Sequence, residues 1–155
     1  MNEPTTDLST LGWREYVAFP DWGIKRVRAK IDTGARTSAL HVGEMEELGD
    51  GRIRFEVVAR EKPTHVGKWV EAEFVREANV KPSSGELQTR PVVRTTIRIG
   101  EIEREVEVSL VCRKGMRCRM LVGRTALSGV FAVDPARSYL AGDGRKNRAK
   151  KKENA

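Results

Sequence analysis

The 155 residues, 39% apolar and 33% charged, suit one soluble globular domain with a modest core. No run approaches the ~18–20 consecutive apolar residues that a bilayer-spanning helix needs, which argues against a membrane as partner. The formal charge of +7 sits largely at one end: Ala141–Ala155 holds six bases against two acids, leaving only +3 for the rest.

That distribution shapes the expected domain organisation. Residues 141–155, polybasic and without an apolar side chain larger than alanine, read as a disordered, solvated tail, and any nucleic-acid contact would be electrostatic and through this tail alone. Residues 1–11 show no basic start followed by an apolar stretch, so a flexible N-terminus and a cytoplasmic location are expected. Residues 12–140 then form the folded domain.

Taken in chain order, the folded part is dominated by short alternating segments, the period of half-buried strands. Arg14–Phe19 carries Tyr16, Val17 and Phe19 and is closed by Pro20-Asp21. Lys25–Ile31 sets Val27, Ala29 and Ile31 on one face against cations on the other. Gly43–Leu48 is expected to form a single helical turn. Strands follow over Arg52–Ala59 and Trp69–Val75, and Glu77–Gln88, centred on Pro82-Ser83-Ser84-Gly85, reads as a flap-like lid. Pro91–Ile99 and Ile102–Val111 flank Gly100-Glu101, where a glycine first suits a type II′ hairpin turn. Met120-Leu121-Val122 is a short apolar strand running into a helical turn over Arg124–Ser128. The expected class is mostly β, closed rather than open, with one or two short helices.

Two clusters invite chemistry. Cys112 and Cys118, spaced C-x5-C, could combine with His41 and His65 as four metal ligands, but the tight C-x-x-C spacing of zinc modules is missing. Two reduced cysteines, with no metal and no other cofactor, are the favoured expectation. The stronger cluster is Asp32-Thr33-Gly34-Ala35, placed directly after an apolar-alternating strand. A carboxylate that activates water needs neighbours that fix it, and a glycine lets backbone N–H groups come close. Asp-x-Gly alone usually marks a turn. Its weight comes from the second element, Met120-Leu121-Val122-Gly123-Arg124-Thr125, about ninety residues later.

Together these segments resemble the half-barrel of the retropepsins, the retroviral-type aspartic proteases. More closely, the chain is similar to the bacterial and archaeal family catalogued as ATP-dependent zinc proteases. The matching stretches are Ala29-Lys30-Ile31-Asp32-Thr33-Gly34-Ala35-Arg36-Thr37-Ser38-Ala39-Leu40-His41, Arg90-Pro91-Val92-Val93, and Arg119 through Leu127. Val133-Asp134-Pro135 and Ser138-Tyr139 fit the family's ending, so the likeness runs from about Gly12 to Leu140. The catalogue name finds no support in the residues: there is no His-Glu-x-x-His helix and no Gly-x-x-x-x-Gly-Lys-Ser/Thr loop.

The resemblance implies a closed acid-protease barrel and an aspartic-type peptidase with Asp32, Thr33 and Gly34 as its catalytic segment. It implies a homodimer, since such enzymes need two carboxylates and this chain has one Asp-Thr-Gly. It also implies partners: an ATP-grasp glutamate ligase, a ribosomal protein, and as substrate an acidic, glutamate-rich tail. Lys30, Arg36, Thr37, Ser38, His41, Arg90 and Arg124 are the expected substrate-binding residues, because the basic ones among them suit a substrate that brings negative charge. Asp134, before a proline, is expected to be structural. The alternatives are a non-catalytic module of the same fold that docks an acidic or ribosomal partner, a metallopeptidase, and a tail-driven RNA binder.

Overall fold

The computed structural model describes residues 7–60, 66–81, 85–111 and 118–142, apart from the side chains of residues 59 and 60. His65, Cys112, the Pro82-Ser83-Ser84 centre of the expected flap and residues 143–155 of the tail lie outside the described residues.

Ten strands make up most of the fold: β1 (Ser9–Gly12), β2 (Arg14–Phe19), β3 (Ile24–Ile31), β4 (Ser38–Gly49), β5 (Arg52–Arg60), β6 (Val66–Val80), β7 (Gln88–Ile99), β8 (Ile102–Val111), β9 (Met120–Val122) and β10 (Phe131–Asp134). A 3-10 turn at Pro20–Trp22 joins β2 to β3, and one short helix, α1 (Arg124–Leu127), follows β9. The alternating pattern of the sequence becomes alternating burial. On β3, Val27, Ala29 and Ile31 face inward while Arg26, Arg28 and Lys30 face out.

Eight strands form one sheet in the order β2-β3-β9-β4-β5-β6-β7-β8. Extra pairings, β2 with β7 and β4 with β8, close the sheet on itself around the core. β1 and β10 lie outside it as a parallel pair, so Ser9–Leu11, expected within a flexible N-terminus, are in fact structured. The β7–β8 hairpin runs in unbroken register to the pair Ile99–Ile102. Its Gly100 takes a φ of 64°, the left-handed value that a side chain would oppose.

Inside the ring, Phe19, Leu40, Val42, Phe55, Val57, Ile97, Val108, Leu110, Met120 and Val122 are almost fully buried. The 3-10 turn plugs one end of this core. Its Trp22 stacks on Phe19 at 4.8 Å and meets Phe55 edge-on at 5.3 Å. Among the described residues no helix is long and apolar enough to cross a membrane.

One expected element is wrong. Gly43–Leu48 is not helical; it forms the outer half of β4, with Met45, Glu46 and Glu47 opposite Phe55, Arg54 and Ile53. Its glutamates and Met45 are good helix formers, but the Gly49-Asp50-Gly51 corner takes positive φ at all three residues and folds β4 back onto β5. Cross-strand pairing overrides local propensity here.

Candidate active site

The site grows from one topological feature. β9 lies between β3 and β4, parallel to β3 (Ile31 opposite Val122) and antiparallel to β4 (Ala39 opposite Leu121). The segment from Asp32 to Thr37, which joins β3 to β4, must therefore arch over the C-terminal end of β9. Gly123 sits directly beneath that arch. A Cβ there would come within 2.8–2.9 Å of the Thr37 and Ala35 backbone, so the Gly-Arg of the second sequence element is a packing requirement.

Five of the six carbonyls of the arch and half of its N–H groups have identified hydrogen-bond partners. The Asp32 N–H donates to Val122 O at 2.9 Å, and Ala35 N–H to Asp32 O at 3.3 Å. The Arg124 guanidinium donates to Thr33 O and Gly34 O, both at 3.1 Å. Arg124 N–H reaches Ala35 O at 2.7 Å, while Thr125 gives both its N–H and its hydroxyl to Arg36 O. The first-turn donors of α1, which have no partner within the helix, are thus satisfied by the loop they support. The result is a rigid platform for the Asp32 side chain. Its Oδ1 accepts the Gly34 N–H at 2.9 Å, and the residue stays partly exposed.

Two grooves flank this platform. The larger, about 980 Å³, has Gly34, Ala35, Arg36, Thr37, Ala39 and Leu121 along one side. Opposite stands the β6–β7 hairpin, with Arg76 through Lys81 and Arg90, and β8 adds Glu107 and Ser109. The described arms of the expected flap are paired strands, with Ala78 opposite Arg90 and Val80 opposite Gln88. Leu87, at the far end of this hairpin, is 68% exposed. Four cations line the groove (Arg36, Arg76, Lys81 and Arg90) against two acids, Glu77 and Glu107. Arg76 is tied to Glu107 Oε1 by two of its nitrogens, at 3.0 and 3.2 Å. The smaller groove, about 580 Å³, runs from Thr33 along α1 to Phe131, Ala132 and Val133 of β10.

The expected binding residues divide accordingly. Arg36, Thr37 and Arg90 line the larger groove. Arg124 borders the smaller one, but its guanidinium is committed to holding the arch. Lys30 is exposed on β3 and lines neither groove. Ser38 and His41 require correction: they are 0% and 1% exposed, because this part of β4 is flanked by β8 and β9 and covered on both faces. Neither side chain can touch substrate. Ser38 instead braces the platform, its Oγ accepting Gly123 N–H at 3.0 Å and its carbonyl accepting the Ser109 hydroxyl at 3.2 Å. Asp134 accepts Ala136 N–H at 2.9 Å, the Asx turn expected before a proline.

Arg76 and Lys81 are absent from the sequence-based site. Only the register of the β6–β7 hairpin brings them across the groove from Gly34–Thr37, and no local pattern reports it. Among the described residues no three histidine, cysteine, aspartate or glutamate side chains gather as a metal set.

With the geometry in place, comparison with known proteins is informative. A family model described as "RimB-like: Retropepsin-like aspartic endopeptidase RimB" matches residues 10–143. A probable alpha-L-glutamate ligase of Shewanella halifaxensis is 33% identical over 135 residues, which are 85% of this chain and 30% of that protein. A probable alpha-L-glutamate ligase of Parasynechococcus marenigrum is 32% identical over 140 residues, again 30% of its length. The chain therefore spans less than a third of these relatives. A solved Legionella pneumophila protein of unknown function is 29% identical, with a TM-score of 0.72 covering 87% of this chain and 99% of that one.

Proposed function

From the premise that the chain belongs to the RimB-like family of retropepsin-like aspartic endopeptidases, we propose that it is an aspartic-type peptidase that hydrolyses peptide bonds in acidic, glutamate-rich protein tails. The observation that carries this reading is a braced, partly exposed Asp32 at the start of a loop whose Gly34–Thr37 stretch borders a groove lined by Arg36, Lys81 and Arg90, with Arg76 held there by Glu107. Guanidinium groups suit carboxylates because their fork binds both oxygens.

The chemistry requires two carboxylates sharing one proton, which two copies of Asp32 supply across the two-fold axis of a homodimer. The ionised carboxylate takes a proton from water as the oxygen attacks the scissile carbonyl carbon. The protonated one gives its proton to the carbonyl oxygen, leaving a neutral gem-diol. Collapse of the diol moves a proton to the amide nitrogen and breaks the C–N bond, releasing acid and amine with the dyad again singly protonated. The smaller groove beside Thr33 could take a few side chains of a second copy, and β10 has a strand on one side only, β1, among the described residues.

Segments similar to this chain occur within longer proteins named probable alpha-L-glutamate ligases. A peptidase partnered with such a ligase would meet oligoglutamate as it is made, on a ribosomal protein or another acceptor.

The test compares peptides ending in several α-linked glutamates or in the same number of glutamines. Cleavage is expected for the glutamate series. Replacing Arg36 and Lys81, both exposed, by glutamine should raise KM for it by about three- to tenfold, the scale of two solvent-exposed ion pairs. Equal KM values for both series in wild type would remove the acidic-substrate assignment.

A further inference from the structure

Away from both grooves, the outward face of β2 and β3 is organised around a different kind of site. Across this pair Arg14 faces Lys30 and Tyr16 faces Arg28. The Arg14 guanidinium lies 4.6 Å from the centre of the Trp13 ring and 5.1 Å from that of Tyr139. Tyr139 stacks on Tyr16 at 4.6 Å with the rings 16° apart, and the Arg26 guanidinium lies 4.5 Å over Tyr16. Cations and rings thus form one continuous cluster. Arg28 joins it through a hydrogen bond to the Tyr16 hydroxyl, which draws that phenol below its ordinary pKa. The backbone anchors the cluster as well, with Tyr139 N–H donating to Arg14 O at 2.9 Å.

Three properties point to a polyanion. First, β2 and β3 together contain five basic residues and one acid, and that acid, Glu15, is fully buried. Second, the rings hold the long arginine side chains in place, so little conformational entropy remains to be lost on binding. The face of a guanidinium suits a ring while its N–H edge suits an anion, so an arginine packed on a ring can still meet a phosphate. Third, the polybasic segment with Arg145, Lys146 and Arg148 begins six residues after Tyr139 in sequence.

We propose that this face binds the phosphate backbone of a single-stranded nucleic acid, independently of the peptidase groove. No residue of the cluster lines either groove beside Asp32. The cations of the larger groove already suit an acidic peptide, whereas this second surface combines dense positive charge with an aromatic that can serve a base. Trp13 is 38% exposed and offers its indole for stacking. Contact is through phosphates, so recognition is sequence-tolerant and salt-dependent.

The test is fluorescence anisotropy of the full chain with a labelled oligouridylate of about 20 nucleotides across a salt series. The same titration with oligothymidylate separates RNA from DNA as the source of the backbone, and an oligoglutamate peptide serves as the rival polyanion. Arg14→Gln combined with Arg28→Gln should weaken oligonucleotide binding by about tenfold. It should also flatten the log–log salt slope by about 1.4, or 0.7 for each lost phosphate contact on a single strand. If that variant fails to fold, Arg26→Gln with Lys30→Gln, both exposed on the same face of β3, replaces it with the same expectation. Ultraviolet cross-linking of the wild type should independently place uridine on the peptide containing Trp13 and Tyr16. Unchanged oligonucleotide affinity in the folded variants overturns the proposal. So does cross-linking confined to the tail or to the Asp32 groove, or tighter binding of oligoglutamate than of either oligonucleotide at this face.

Discussion

Adding a large excess of Asp32→Asn protein to wild type, with time for subunits to exchange, is expected to suppress cleavage far beyond dilution. In a shared dyad each subunit gives one carboxylate, and an asparagine can neither take the water's proton nor share the one between the aspartates. At a ninefold excess, about one tenth of wild-type subunits would meet another wild-type subunit, so activity per wild-type subunit should fall about tenfold. Independent monomers would show no such loss. The substitution should be mild structurally: the Asp32 side chain accepts the Gly34 N–H through Oδ1, an acceptor that asparagine keeps, and the arch is held by backbone groups and by Arg124. Steady-state peptide cleavage at fixed wild-type concentration reads the effect, with dimer formation followed in parallel by light scattering.

Glu15→Ala is expected to cause the largest loss of stability of any single change considered. The Glu15 carboxylate is fully buried and accepts three backbone N–H groups: Gly12 at 2.6 Å, Leu140 at 2.9 Å and Ala141 at 3.1 Å. It ties the end of β1 and the segment after Tyr139 to β2. Alanine removes charge-assisted bonds and leaves those donors without their acceptor. The cost should be about 3–5 kcal/mol, or a fall in Tm of roughly 10–15 °C for a domain of this size. Glu15→Gln, which keeps one acceptor oxygen but turns an NH₂ toward N–H donors, should recover only part of it. Urea unfolding of the three proteins checks the order.

Glu15 also marks where sequence reasoning stops. In Arg14–Phe19 it reads as an ordinary strand residue, because its three partners lie at residues 12, 140 and 141 and no local pattern joins them. Strands β3, β5 and β6 are legible because each buries one face and alternates accordingly, and β2, β7 and β8 because they alternate over part of their length. The Gly100 turn was legible because the chain needs a positive φ there. The inner end of β4 was not. Buried on both faces between β8 and β9, it presents Ser38 and His41 as polar residues beside a catalytic motif when they are interior. Gly43–Leu48 misled for the opposite reason, since an exposed strand held by backbone pairing carries no hydrophobic period.

Within the candidate site, Asp32 and the Gly123-Arg124 element were readable as two motifs. Their relation was not: one is the arch and the other its support, joined by Arg124 bonds to Thr33 and Gly34 ninety residues away. The cations across the groove from Gly34–Thr37 depend on hairpin register, which explains why family likeness points to Arg90 and no pattern points to Arg76 and Lys81.

The most direct test of the account is mass spectrometry of a peptide ending in several α-linked glutamates, incubated separately with wild type and with Asp32→Asn. Shortening by wild type, with the variant leaving the peptide intact at a rate lower by about 10⁴-fold, is the expected result for removal of the group that activates the nucleophile. Equal shortening by both proteins would contradict it and move the chemistry to another residue.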